Sequence, residues 1–458
     1  MDYPLWNLPI GGGVLIGIVA IAHVLVSHFA VGGGLALAVL ETAAVRRRDA
    51  AMRALARRTS LLLILISTVF GAISGVGIWV TIGLVHPAAT SALVHTFVWG
   101  WAIEWAFFIV EVATALAYYA TWERVRPRTH LLLIWSYAAA AYLSLVVIQG
   151  IVSFMLTPGR WIETRSIFDG LFNPTYFPGL ALRTGACLLL AGSYMIFAAL
   201  REKDPAARAL LVRLLAGLEV VGVLLAYAGY RWWESALPAA VRAAFLGTAA
   251  LLPTLVATRH LLLWALAAAL ALAAFAFAVP KAQRWPVGAL ALLAAFAFLG
   301  GYERLREGAR KPFVIRDHMF TNGILVGEIA DLNVRGVLSK AAWAGRGVEE
   351  HGADAVARGR AVYRAQCSAC HTLDGYLSMR KILGRFDADA LPTVLATMRE
   401  DGDAYAAARS AGARAPAIGR LNYPFMPPLV GTDQEADALA KYLASLKGAR
   451  PEDLARER

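Results

Sequence analysis

Long apolar stretches separated by short polar segments fill the first two thirds of the chain. A helix of about 20 apolar residues crosses the ~30 Å hydrocarbon core of a bilayer. Eight stretches of this kind lie near residues 12–44, 59–85, 92–121, 130–156, 178–200, 208–231, 254–279 and 286–302. The pattern predicts an all-α, polytopic membrane helix bundle of about eight spans.

The last third of the chain has a different pattern. Residues 303–348 are mixed and polar, with turn-like "GARKPF" and "TNGI", and a helical pattern begins near residue 349. An amphipathic segment, "TDQEADALAKYLASL", follows near the end, with acidic residues in its first turn. We therefore expect a membrane domain at 1–302, a connector at 303–348 and a small soluble helical domain at 349–458.

Composition and charge support a membrane protein. The 458 residues are 59% hydrophobic and 17% charged, with a mean hydropathy of +0.56. The net charge of +12 resides largely in short loops such as "RRRD", "ERVRPR" and "REKD". These loops follow alternate spans, which places them in the cytoplasm and both termini outside. No basic face or reading module accompanies the charge, so a nucleic-acid partner is not expected.

The clearest chemical motif is "AQCSACHTLDG" at residues 365–375, which contains Cys367, Cys370 and His371. Cys-x-x-Cys-His attaches a c-type haem covalently and supplies its proximal ligand. Bacteria attach this haem outside the cytoplasm, and the first apolar stretch is too long for a cleavable signal peptide. Eight spans would carry the motif across. A ninth at 236–253 would strand it inside, so we interpret that stretch as an interfacial helix on the outer face.

A second residue completes the c-haem site. Met426 lies in the Pro-rich "NYPFMPPLVGT", just before the last helix, and the domain resembles class I cytochromes c, which place their distal thioether ligand there. Ligation by His371 and Met426 gives low-spin iron of raised potential, suited to electron transfer. The remaining cysteine, Cys187, lies in an apolar run and is expected to pack.

Ionisable side chains inside the spans cost ~2.5–3.5 kcal/mol or more and indicate function. They are His23 and His28 in the first span, Glu104 and Glu111 in the third, Arg183 in the fifth, Glu219 in the sixth, and Arg259 with His260 in the seventh. Imidazoles ligate iron, buried carboxylates relay protons, and arginines neutralise haem propionates. Haem inside the bundle is therefore expected.

Two segments resemble subunit I of cytochrome bd-type oxidases. "AHVLVSHFAVGGGLALAVLET" at 22–42 is similar to that subunit's first helix, with His23 on the ligand of a high-spin haem. "AIEWAFFIVEVATALAYYATWER" at 102–124 is similar to its third helix, whose two glutamates serve the haem pair and its proton supply. Glu111 is in register with the second glutamate, and Glu104 lies one residue from the first.

The resemblance continues to about residue 316. "YLSLVVIQGIVSFMLTP" and "LFNPTYF" match in order, and "REGARKPF" resembles a signature that follows the eighth span. This places Glu307 on the carboxylate that ligates a second high-spin haem. The resemblance implies haem b, haem d or both in the membrane domain, beside the covalent haem c.

The sequence departs from that family where the low-spin haem b binds. The family has a His just before a Thr on the fifth span and a Met two residues after an Arg on the seventh. Here the positions read Leu182-Arg183-Thr184 and Arg259-His260-Leu261, so leucines replace the ligand pair. The quinol-binding loop is shortened to roughly 232–253, and the cytochrome c replaces the ninth span. His260 is a substitute-ligand candidate. His28 is a candidate ligand, although hydrogen bonding to a propionate or carbonyl is favoured because the family has no ligand there. His86 and His95 are candidates for additional ligands, although an interfacial position is favoured for both.

These departures lead to two functional hypotheses. In the first, electrons enter through haem c instead of from quinol, pass to high-spin haems and reduce oxygen, with protons supplied through Glu104 and Glu111. In the second, the chain is a non-catalytic anchor that connects a periplasmic oxidoreductase to a respiratory chain. Both predict a bacterial inner-membrane protein with a periplasmic cytochrome c domain. Both also predict contacts with lipid, an electron donor and other respiratory subunits.

Overall fold

The computed structural model describes Trp6 and residues 8–246, 253–345, 354–385, 387–416 and 418–447. Within these residues, eight helices are long and apolar enough to cross a membrane. They are α1 (Gly12–Arg47), α2 (Ala50–Val85), α3 (Val98–Ala120), α4 (Pro127–Phe154), α5 (Tyr176–Ala199), α6 (Pro205–Ala236), α7 (Pro253–Ala278) and α8 (Trp285–Ala309). The predicted all-α architecture is confirmed.

Short polar loops are sufficient between these helices because they contain helix-starting residues. The Asp49 carboxylate accepts a hydrogen bond from the Met52 amide (2.9 Å) at the start of α2. Asp204 accepts from the amides of Ala206 and Ala207, and Pro205 occupies the first position of α6. Capping aspartates and a first-turn proline stabilise helix N-termini, so these two loops each end in a helix-start signal.

The helix α2 changes its winding near its middle. It is α-helical over Ala50–Leu63, π-helical over Ile64–Gly71 and α-helical again over Ala72–Val85. Long π-helical segments are rare and are often found beside functional sites. The segment ends three residues before Ser74, which contacts a candidate ligand described below.

The core of the bundle lies around α5. About 67% of the most apolar stretch of α5 is buried, compared with 6% for α3. Three glycines allow α5 and α6 to touch backbone to backbone. A Cβ on Gly185 would lie 2.3 Å from the Ala226 nitrogen, and one on Gly229 would lie 2.3 Å from the Leu182 nitrogen. A Cβ on Gly222 would also meet α5, so the contact between the two helices depends on small residues.

Two segments differ in detail from the sequence prediction. The helix α8 continues to Ala309, so the first part of the predicted connector is helical and includes Glu303 and Glu307. Hydropathy falls at residue 303, but the helical hydrogen bonds continue beyond it. Of the predicted interfacial stretch 236–253, Ala239–Leu246 is helical and residues 247–252 lie outside the described residues.

The C-terminal region is a small helical fold with one short hairpin. Strands β1 (Phe313–Ile315) and β2 (Met319–Phe320) pair antiparallel. The principal helices are α9 (Ala355–Gln366), α10 (Leu391–Ser410) and α11 (Asp433–Leu446). A capping box between Thr432 and Glu435 starts α11.

Shorter helical segments connect these elements. The α-helical ones are Pro87–Thr96, Trp161–Thr164, Ile167–Leu171, Ile329–Arg335, Ala342–Gly345 and Met379–Leu383. Single 3₁₀ turns occur at Pro280–Ala282, Val326–Glu328, Val337–Ser339, Ala388–Ala390 and Ile418–Arg420. The chain forms two compact units, one of residues 19–77 and 94–309, and the other of the described parts of 1–18, 78–93 and 310–458.

Candidate haem sites

His371 is held in the orientation that a proximal haem ligand needs. Its Nδ1 lies 3.0 Å from the Leu377 carbonyl oxygen. A carbonyl only accepts, so Nδ1 carries the proton and the Nε2 lone pair faces away, available to iron. The Tyr363 hydroxyl donates to the His371 carbonyl (2.8 Å), which fixes the backbone after α9.

Cys367 and Cys370 follow α9, which ends at Gln366. Gln366 connects the haem attachment motif to the loop that contains Met426. The Gln366 side chain donates to the Val430 carbonyl (2.7 Å) and accepts from the Val430 amide (3.0 Å). Val430 lies four residues after Met426. A pair of hydrogen bonds therefore joins the attachment motif to the loop that contains the predicted distal ligand.

The Met426 loop is also anchored to α10. The buried Asp401 carboxylate accepts from the amides of Asn422 (2.7 Å) and Tyr423 (2.8 Å). The Met426 amide then donates to the Tyr423 carbonyl, closing a turn. Met426 itself is partly buried. Sequence analysis did not identify Asp401, although an acidic residue inside the apolar face of a helix is a usable signal.

The residues present fit a covalent haem. Burial lowers the pKa of His371, which favours the neutral imidazole that binds iron. Burial also raises the pKa of the Cys367 thiol to about 12. The Asn322 Nδ2 donor is buried and has no hydrogen-bond partner within the part of the chain that the structure describes. Asn322 lines a small cavity together with His86, Thr321 and Ala369 of the haem motif, where a polar haem edge would satisfy it.

The structure places His86 and His95 in different surroundings. His86 lies beside the haem motif, at that cavity, whereas His95 is exposed in the last turn of Pro87–Thr96. Neither geometry tests ligation, and both assignments stay predictions.

His23 in α1 has one ring nitrogen fixed by a hydrogen bond and is a residue that could hold a haem. Its Nδ1 lies 3.0 Å from Ser74 Oγ, and the Ser74 hydroxyl donates to the Phe70 carbonyl (2.6 Å). Because the Ser74 hydroxyl proton is donated to the Phe70 carbonyl, His23 Nδ1 must be the donor to Ser74 Oγ. The lone pair of His23 Nε2 is then the one available to iron. Gly75 keeps this side open, because a Cβ there would lie 3.3 Å from His23 Cε1. The residues around His23 fit a haem.

His28 has a different environment. Its Nδ1 lies 2.8 Å from the Val24 carbonyl, and Arg183 NH1 lies 3.2 Å from its Nε2. The Nε2 lone pair thus accepts from a guanidinium and is occupied. The hydrogen bond to a carbonyl matches the hydrogen-bonding role expected for His28, and its ligation stays untested.

Arg183 belongs to a buried ion cluster that the sequence analysis did not identify in full. Its NH2 lies 2.5 Å from Glu303 Oε1, and Arg306 Nε lies 3.1 Å from Glu303 Oε2. Two guanidinium groups thus share one buried carboxylate. Glu303 was missed because the predicted eighth span ended one residue before it. Arg183 Nε remains buried without a hydrogen-bond partner among the described residues.

Glu307, the predicted second ligand, lies at the edge of this cluster. Its carboxylate is 3.8 Å from Arg306 NH2, and its side chain is 42% exposed. Arg259, by contrast, pairs with the buried Glu234 at 2.8 Å. The neighbouring His260 is exposed. Leu182 is completely buried against α6, whereas Leu261 is 57% exposed.

Glu104 and Glu111 lie on one face of α3 and both face α4. The Ser144 hydroxyl donates to Glu104 Oε1 and the Tyr137 hydroxyl donates to Glu111 Oε1, each at 3.2 Å. Tyr137 also lies 3.2 Å from the Ala30 carbonyl of α1. The hydroxyl partners were not predicted, because neither residue is ionised at neutral pH and both occur in an apolar run.

Comparisons with known proteins agree with both halves of this description. The family described as "Cytochrome bd terminal oxidase subunit I" matches residues 14–230, and the family "Cytochrome c" matches residues 356–447. A solved bd oxidase from Geobacillus thermodenitrificans aligns with a TM-score of 0.57 and 16% identity, covering 67% of this chain and 88% of that one. At this identity the likeness concerns the fold. Among curated proteins, none matches the chain.

The chain therefore joins a membrane domain like cytochrome bd subunit I to a C-terminal cytochrome c domain. These two parts make it a multi-pass membrane protein of haem-based electron transfer.

Proposed function

We propose that this bd-like, cytochrome c-fused chain is the catalytic subunit of a membrane oxidoreductase that reduces oxygen with electrons received through its own c-type haem. Electrons move from an external donor to haem c and then to high-spin haems b or d in the membrane domain. The domain boundaries that we assign to these roles are 1–302, 303–348 and 349–458. The cytochrome c domain would face the periplasm of a bacterial inner membrane, and other respiratory subunits would complete the complex.

The observation that carries the proposal is the environment of His23. Ser74 fixes the His23 ring through Nδ1, so Nε2 is the nitrogen that would bind iron. Two protonatable carboxylates, Glu104 and Glu111, occur on a nearby helix with hydroxyl partners. A chain that only conducts electrons requires no proton-transfer groups, so this combination favours chemistry that consumes protons.

Each group in the chain then has a defined task. A high-spin haem supplies an open iron position at which oxygen can be reduced. His23 would hold one haem through Nε2, with Ser74 fixing the imidazole ring, and Glu307 would hold the second. Glu111 and Glu104 would deliver protons, since four protons and four electrons convert one oxygen molecule to two water molecules.

The c-haem would provide the electron input that quinol provides in other enzymes of this kind. Cys367 and Cys370 would hold the group by thioether bonds, with His371 and Met426 as the axial pair. A six-coordinate site exchanges electrons but offers no position for oxygen. Electron input and oxygen reduction are thus assigned to separate parts of the chain.

A carbon monoxide difference spectrum of the purified reduced complex, with oxygen uptake from a reduced donor protein, tests this proposal. We expect a carbon monoxide response from membrane haem and oxygen uptake that stops in His23→Ala. His318→Ala is the control, since His318 is not among the candidate ligands. A parent protein with neither response contradicts the proposal.

A second function has one specific observation in its favour. Glu307 is 42% exposed beside Arg306, a weak environment for a buried iron ligand. An electron-transfer anchor that connects a periplasmic oxidoreductase to a respiratory chain would need no such ligand. This function predicts reduction of every haem by the donor without a carbon monoxide response or oxygen uptake.

A further inference from the structure

A regular series of polar contacts joins α3 and α4. Its three pairs are Glu104 with Ser144, Glu111 with Tyr137, and Tyr118 with His130. Successive members are seven positions apart on both helices, which run antiparallel. Seven residues are two helical turns, so neighbouring pairs are about 10 Å apart along one shared face. The contacts therefore form a polar ladder through an otherwise apolar helix pair.

The third pair of the ladder includes a buried carboxylate from α1. Glu41 Oε1 lies 2.6 Å from His130 Nδ1, and the Tyr118 hydroxyl donates to Glu41 Oε2 at 2.5 Å. Glu41 and His130 are only 3% and 4% exposed. The Trp122 and Tyr118 rings pack on the imidazole with centroids 4.5 and 4.3 Å away. This enclosed acid and base have no role in the electron path.

The geometry of His130 requires a proton between it and Glu41. Its Nε2 faces the Tyr118 carbonyl at 3.0 Å, and a carbonyl only accepts, so Nε2 carries a proton. Nδ1 faces a carboxylate oxygen at hydrogen-bond distance. The pair therefore holds one further proton, either as imidazolium with carboxylate or as neutral imidazole with carboxylic acid. The two residues share this proton across the 2.6 Å contact.

The cluster lies at the basic end of the bundle. Glu41 is one and a half turns before Arg46 and Arg47, the last residues of α1. His130 lies in the first turn of α4, after the basic loop at 123–128. Positive charge favours the cytoplasmic side of a membrane. From this end the ladder leads to Glu111 and then Glu104.

We propose that Glu41, His130 and Tyr118 form the proton-uptake site that supplies Glu111 and Glu104. The inference rests on the proposed function for what consumes the protons. A proton from cytoplasmic water replaces the one that the Glu41–His130 pair passes to Glu111, and water molecules bridge the gaps of about 10 Å between pairs. One proton is taken up for each electron that arrives, so charge balances.

The test is proton uptake without oxygen. The holo-complex is reduced anaerobically in proteoliposomes, and a pH-sensitive dye reports protons taken from the side of the basic loops. In the parent we expect uptake from that side during haem reduction. Glu41→Gln and His130→Gln should slow it at least tenfold while haem content and carbon monoxide response stay unchanged. Uptake by the parent from the cytochrome c side alone would overturn the proposal.

The matched control is Glu219→Gln. Glu219 is also a buried carboxylate with a hydroxyl partner, since Ser193 donates to it at 2.7 Å, but it lies on α6, off the ladder. It should keep the parental rate. Glu41→Asp, which retains the acid, should restore at least a third of the lost rate. Parental uptake rates in both Glu41→Gln and His130→Gln would reduce the cluster to a structural contact.

Tyr118→Phe tests the proposal if Glu41→Gln and His130→Gln both lose haem. It keeps the acid and the imidazole and removes one hydrogen bond, and uptake should slow about threefold with haem retained. An unchanged rate in this variant overturns the role of the cluster. Because no oxygen is present, the assay separates two failures. Slow uptake in the variants of a parent that consumes no oxygen supports the proton site and rejects oxygen reduction.

Discussion

Met426 is positioned by backbone contacts on both sides of its loop, from Asp401 and from Gln366. Met426→Ala removes the thioether while leaving these contacts. We expect the c-haem to lose its thioether-to-iron charge-transfer band and the membrane haems to stop accepting electrons from external donors, at least tenfold slower by stopped-flow absorbance. The His371→Ala variant should show the same block.

Met398→Leu provides the comparison for that experiment. Met398 is partly buried in the same domain, and its carbonyl accepts a hydrogen bond from the Leu429 amide. It is therefore a comparable thioether that could be mistaken for the distal ligand. Its substitution should leave both the band and the reduction rate unchanged. Loss of the band in this variant instead would show that the wrong methionine had been assigned.

Candidate ligand residues could be proposed from the sequence, whereas their hydrogen-bond partners could not. Cys-x-x-Cys-His and the Pro-rich loop are local patterns, so His371 and Met426 could be found directly. Ser74, Tyr137 and Glu303 could not, because their roles depend on which helices face each other. The spacing of His130, Tyr137 and Ser144 on α4 is a signal that matches the spacing on α3, and it becomes meaningful only when the two helices are paired.

Among the helices, the contact between α5 and α6 is sensitive to side-chain volume. Gly229→Ala would place a Cβ 2.3 Å from the Leu182 backbone nitrogen. The helices must separate, so we expect a loss of about 1–3 kcal/mol in stability. The thermal unfolding midpoint in detergent, followed by tryptophan fluorescence, should fall.

Gly217→Ala tests whether that effect is specific. Gly217 lies on the same helix, but a Cβ there would be 3.5 Å from the Phe277 ring, an ordinary contact. Its unfolding midpoint should stay equal to or above that of the parent, since alanine favours helix. Equal losses in the two variants would contradict the close backbone contact.

Hydropathy predicted the number and order of the spanning helices because each must bury about 20 apolar residues in lipid. It could not locate their ends. The helix α8 continues past residue 302 because Arg183 and Arg306 neutralise Glu303, a tertiary effect that no local average includes. The π-helical segment of α2 was likewise not predicted.

For the whole molecule, the predicted loss of the low-spin site leads to an expected haem count. Leu182 is completely buried against the α6 backbone and supplies no ligand, and Arg183 is paired with Glu303. We expect two membrane haems and one c-haem per chain in a pyridine haemochrome assay. A third membrane haem that disappears in His260→Ala would show that the site had moved, although His260 is exposed.

The charge bias predicts the position of the C-terminus. Basic loops after alternate spans and the haem attachment motif both predict that it lies outside the cytoplasm. Alkaline phosphatase fused after Arg458 should be active, and a fusion in the loop at 201–204 should be inactive. An inactive C-terminal fusion beside an active periplasmic control would contradict this topology.

The glycine contact between α5 and α6 also bears on biogenesis. The two helices are consecutive and joined by the short loop between Ala199 and Pro205, so they can pair as soon as both have left the translocon. Their contact is made directly by backbone and small side chains. We therefore expect this helical hairpin to assemble in the apoprotein. Haem would then be inserted, and its thioether bonds formed, after α5 and α6 have paired.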